Sequence, residues 1–70
     1  MKIILIIYVC SITANTCMPP LQVEKPYEDM YTCHIDGYKK SIDILQEMGK
    51  KEVNQHEIYT KFVCRKILEV

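Results

Sequence analysis

Apolar residues gather in three blocks along the chain. In the first, Lys2 is followed by Ile3, Ile4, Leu5, Ile6, Ile7, Tyr8, Val9 and Cys10 with no charge among them. A positive start, a short greasy run and then small polar residues have the form of a secretory leader. The run is too short to span a bilayer as a helix, which takes about 20 residues. A leader peptidase accepts only small side chains just before the cut, so cleavage is expected after Ala14 or after Thr16. The competing reading of the same run is a buried strand.

Residues 15–26 hold Pro19, Pro20 and Pro26 and little apolar pattern. Adjacent prolines favour extended backbone and oppose a helix, so an extended arm is expected. The second block carries a helical stripe of Tyr31, Ile35, Tyr38, Ile42, Leu45 and Met48, with Lys39, Lys40, Asp43 and Glu47 off it. Gly37 interrupts the stripe at a cost of about 1 kcal/mol inside a helix, whereas Gly49 stands where a left-handed cap belongs. In the third block, Asn54 and Glu57 match a capping box, with Val53 and Ile58 at the spacing of a hydrophobic staple. Tyr59, Phe62, Val63, Ile67 and Val70 follow at helical spacing. The pattern predicts helices over 37–48 and 54–69 within a module spanning 27–70. The expected fold class is therefore all-α, a small disulfide-stapled helical hairpin behind an extended Pro-rich arm.

Composition narrows this picture. Seventy residues exclude two domains and any fold that needs a large core. Loss of Lys2 with the leader leaves eight basic against nine acidic side chains, a net charge of −1. That balance excludes a cationic lytic peptide and a nucleic-acid binder, both of which need excess positive charge.

The cysteines matter most. Export implies an oxidising setting, and a chain this short is marginal without a staple. Removal of Cys10 with the leader would leave Cys17, Cys33 and Cys64. Cys33–Cys64 is the favoured disulfide, because both lie in blocks that look folded. Closing that loop would stabilise the fold by about 3–4 kcal/mol. A straight hairpin places the two some 9 Å out of register, beyond disulfide reach. The first helix is therefore started near Gly37, and Cys17–Cys64 stays as the alternative. Cys17 is then expected to be unpaired or to bridge two copies. His34 and His56 lack metal-ligand spacing and are read as surface residues, so no metal and no cofactor are expected.

No phosphate loop, nucleophile set or metal motif marks an enzyme. The binding candidates are Lys39, Lys40, Lys61, Arg65 and Lys66, because basic side chains are drawn to acidic vestibules. Tyr27 and Tyr31 join them as aromatics that a two-helix hairpin cannot fully enclose. Gly49-Lys50-Lys51 is also the arrangement at which peptide precursors are cut and amidated, and a helix cap followed by a solvated loop explains the same residues. In layout alone (leader, short arm, cysteine-linked module) the chain is similar to animal venom toxin precursors. It is expected to be secreted and to act by binding an extracellular receptor or ion channel. A secreted signalling or reproductive-fluid protein, or an amidated hormone precursor, is the alternative.

Overall fold

The computed structural model describes residues 2–67. Strand β1 (Lys2–Ser11) alternates along the chain: Ile3, Leu5, Ile7 and Val9 are buried, while Lys2, Ile4, Ile6 and Tyr8 are partly exposed. This period of two is what a strand with one covered face requires. Isoleucine and valine crowd a helix but suit a pleated surface. A tight hairpin leads to β2 (Thr16–Cys17), with Cys10 opposite Cys17. Asn15, at φ 53°, takes the left-handed turn position, which asparagine tolerates better than most residues. Beyond the prolines, β3 (Leu21–Gln22) returns to the same edge of β1, pairing at Ile7 and Ile6. Tyr27 closes that edge by exchanging two backbone hydrogen bonds with Ile3, of 3.0 and 2.8 Å.

Helix α1 (Met30–Met48) begins at Asp29, whose carboxylate accepts the Thr32 N–H at 3.0 Å and the Thr32 hydroxyl at 2.7 Å. That cap satisfies a backbone donor that would otherwise have no partner. The helix ends at Gly49, at φ 91°, which joins it to the short helix α2 (Lys50–His56). Glu57 then turns left-handed at φ 49°, and β4 (Ile58–Ile67) runs antiparallel to β1 over ten residue pairs, from Ser11 opposite Ile58 to Lys2 opposite Ile67.

The described residues thus form an α+β fold, with β1 central in an antiparallel sheet and α1 laid across one face. This overturns the all-α hairpin expected from the sequence. The expected second helix is α2 followed by β4, and residues 68–69 of that expectation lie outside the described residues. The first helix starts seven residues before Gly37 and runs through it. Residues 2–11, expected as leader, supply five of the six buried apolar residues among those described, the sixth being Cys33.

Both disulfides join elements. Cys33 of α1 is bonded to Cys64 of β4, and Cys10 of β1 to Cys17 of β2. The expectation of an unpaired or intermolecular Cys17 is therefore corrected. With β1 in place, the hairpin register sets Cys10 directly across from it. The register problem of two facing helices does not arise, because Cys64 lies on a strand under the helix.

Candidate binding surfaces

Helix α1 meets the sheet through a narrow face. Cys33, Gly37 and Ser41 are its buried residues, at helical spacings of four. Gly37 sits over the Phe62 ring, and a Cβ there would stand 2.5–2.8 Å from three ring atoms. Only a residue without a side chain allows this approach.

The stripe that the sequence marks as apolar is not the buried face. Tyr31 is 77% exposed, Ile35 40%, Tyr38 61% and Ile42 53%. Of these, Tyr38 reaches the β4 side of α1, where it and His34 stack edge-on to Phe62 at 4.9 and 5.8 Å between ring centres. A groove of about 330 Å³ lies there, lined by His34, Tyr38, Ser41, Thr60, Lys61 and Phe62. Ser41 Oγ is buried without a hydrogen-bond partner among the described residues.

The opposite flank of α1 is charged. Asp36 accepts a short hydrogen bond from the Tyr27 hydroxyl and lies 3.5 Å from Lys40 Nζ. Burial, with the Asp36 hydrogen bond and charge adding to it, pushes the Tyr27 hydroxyl up to about 12. The Tyr27 hydrogen bond, aided by Lys40, holds the Asp36 carboxyl below its ordinary range. The phenol therefore keeps its proton and the carboxylate its charge across neutral pH. This triad lies at a cleft of about 430 Å³ whose lining includes Val23, Pro26 and Thr32. It fastens the segment after β3 to the helix.

The expected binding residues do not form one patch. Lys61 and Arg65 project from the sheet face away from α1, beside Val63 and across from Tyr8 and Ile4. Lys61 Nζ stands 5.4 Å from the centre of the Tyr8 ring, within cation–π range. Lys66 projects to the helix side of the same strand, while Lys39 and Lys40 belong to α1. Tyr27 is half-buried in its hydrogen bond, whereas Tyr31 is the most exposed of the large apolar residues. Tyr38, part of the apolar stripe read from the sequence, is mostly exposed. Gly49, Lys50 and Lys51 form the junction and first turn of α2, with both lysines exposed.

Sequence reasoning missed the outer edge of β4. Odd-numbered residues of β1 bond away from β4: Ile3 with Tyr27, Leu5 with Val23 at 2.9 Å, and Val9 with Met18 at 2.8 Å. At the other side, the Ile12 N–H donates to the Glu57 carbonyl at 3.1 Å, in register with the ladder. Antiparallel pairing then directs the peptide groups of Tyr59, Lys61, Val63, Arg65 and Ile67 toward β1. Those of Ile58, Thr60, Phe62, Cys64 and Lys66 face outward and find no backbone partner among the described residues. The signal that could have found this edge is the alternation Ile58, Thr60, Phe62, Cys64, which reads as a strand once β1 is available to pair with it.

Comparison of the chain with family models, curated proteins and solved structures finds no match.

Proposed function

We propose that this chain is a small extracellular protein that acts by binding, and that its working form keeps residues 2–11 as the central strand. The observation that carries the proposal is the cysteine arrangement: all four cysteines are consumed in two disulfides within one chain. Such bonds persist in oxidising compartments and are rare where thiols are kept reduced. Small folds of that setting use them to supplement a thin core. Here one ties helix to sheet and the other locks the hairpin at the end of β1.

The target class is an exposed segment of a membrane receptor or ion channel, met in the manner of a venom-type effector. In support, β1 and β4 carry Lys2, Lys61, Arg65 and Lys66 and no acidic residue. That imbalance on an uncharged whole suits an acidic target. The test is mass spectrometry of the natural protein, alkylated before reduction. A chain with no alkylated cysteine, and with Cys10 linked to Cys17 in an N-terminal peptide that includes Lys2, agrees with the proposal. A chain that begins at Asn15 or Cys17, or that carries free thiols, overturns it.

A further inference from the structure

We propose that the groove between α1 and the outer edge of β4 takes an extended segment of a partner protein, added to the sheet as a strand, in which apolar residues alternate with acidic ones. The inference rests on the reading of the chain as a binding protein and specifies what it binds.

Three features converge on this groove. The first is the row of outward peptide groups at Ile58, Thr60, Phe62, Cys64 and Lys66, which form the hydrogen-bonding half of a ladder. An added strand satisfies such groups, and main-chain bonding of this kind supplies affinity without needing a particular sequence. The second is the wall above that edge. Tyr38 and His34 of α1 stand over it, both edge-on to Phe62 in the floor. Side chains of an added strand that point to the helix side would enter the angle between α1 and β4, where apolar ones meet the Tyr38 and Phe62 rings. Ser41, buried without a hydrogen-bond partner among the described residues, lines the same groove.

The third feature sets the other half of the pattern. In an added strand, successive side chains point to opposite faces. Those that point away from α1 become neighbours of Tyr59, Lys61, Val63 and Arg65 on the open face of β4. With Lys61 and Arg65 there and no acidic residue in the strand, acidic side chains fit at these places. A helix-side apolar set and an open-side acidic set together give the alternation.

The same charges argue against a second copy as occupant. Two β4 edges side by side would bring Lys61, Arg65 and Lys66 of each chain together, and charged edge strands resist self-pairing for that reason. The cations that protect the edge from its own kind make it receptive to an acidic segment.

The test uses the refolded 70-residue chain with both disulfides formed, so its outcome does not depend on where the natural protein resides. Free thiols in the natural protein would remove the extracellular reading and leave this one standing. The probes are two blocked ten-residue peptides, one of alternating Val and Glu and one of alternating Val and Lys. Amide exchange and ¹⁵N shifts are followed by NMR. In the free chain the amides of Thr60, Phe62 and Cys64 should exchange faster than those of Lys61 and Val63. The Val–Glu peptide should slow exchange at Thr60, Phe62 and Cys64 and shift the resonances of Tyr38 and His34. The Val–Lys peptide should bind at least tenfold more weakly. The double variant Lys61→Glu, Arg65→Glu, altered only at exposed positions, should reverse that preference. The proposal is overturned if the Val–Glu peptide leaves these amides unprotected, or if both peptides bind the unmodified chain equally. It is equally overturned if the outer amides are already protected in a dimer, which sedimentation would reveal as self-pairing.

Discussion

Replacing Gly37 by alanine sets two effects of opposite sign against each other. Gly37 lies inside α1, and in an exposed helix Gly→Ala gains about 1 kcal/mol. Here the new methyl would stand 2.5–2.8 Å from three atoms of the Phe62 ring, about 1 Å inside ordinary carbon–carbon contact. Relief requires the ring to move or the helix to lift. The ring is held edge-on by Tyr38 and His34. The helix is tethered one turn away by the Cys33–Cys64 bond. Forcing a methyl into such a contact costs about 1–3 kcal/mol, and the upper part of that range applies where both sides are fixed. The net expectation is a loss of about 1–2 kcal/mol. For a chain of this size each kcal/mol moves Tm by roughly 4–8 °C, so Tm should fall by roughly 4–16 °C. Thermal unfolding followed by circular dichroism, with both disulfides intact, reads this directly. In a Phe62→Ala background the clash is gone, and the same Gly37→Ala change should raise Tm. A rise in Tm for the single variant would refute the close approach and with it the seating of α1 on β4.

Two other expectations follow from the bonds and the charges. Cys→Ala replacement of the Cys33–Cys64 pair should cost about 3–4 kcal/mol by loop-closure entropy, against about 2–2.5 kcal/mol for the Cys10–Cys17 pair with its separation of 7. Urea midpoints in the reverse order would contradict the assigned pairing. Stability should also be flat between about pH 5 and 9 and fall on both sides. Tyr27 holds its proton more tightly in the fold, so its contribution is complete below 10 and is lost as pH rises toward about 12. The Asp36 carboxyl is lowered from 3.8, so its contribution is complete above that value and is lost as pH falls through the folded one. Tyr27→Phe should flatten the alkaline limb, and an unchanged limb would show that the fold does not raise the Tyr27 hydroxyl.

Much of α1 was legible in the sequence. Gly49 stops it where a cap was expected, and the residues between Gly37 and Met48 are helical. Its direction of burial was not. The stripe of Tyr31, Ile35, Tyr38 and Ile42 is the more apolar face, yet the helix buries Cys33, Gly37 and Ser41. Small residues permit a close approach to a sheet, and a disulfide fixes which side faces it, whereas hydrophobic periodicity alone sees neither. The third block failed for a different reason. Residues 58–67 fit both a helical stripe and a two-residue alternation, and a strand needs a partner. That partner is β1, which lies in the block with the form of a leader; without it the helical reading of residues 58–67 has no competitor. The Asn54–Glu57 signature then lies at the end of α2, with Glu57 left-handed, not at the start of a helix. Loss of that first block also takes Cys10 away and leaves Cys17 without its mate.

The N-terminal strand is the core of the folded protein. Ile3, Leu5, Ile7 and Val9 are all buried, and each contributes about 1.5–3 kcal/mol. Their combined share, roughly 6–12 kcal/mol, matches or exceeds the 4–10 kcal/mol or so of total stability usual for a chain of this length. The direct measurement compares the full chain with a chain that starts at Asn15, by circular dichroism and ¹⁵N NMR under oxidising conditions. The full chain should show dispersed resonances and cooperative unfolding, and the shortened one a collapsed spectrum with no transition. A shortened chain that folds cooperatively, with Cys33 and Cys64 bonded, would contradict the claim.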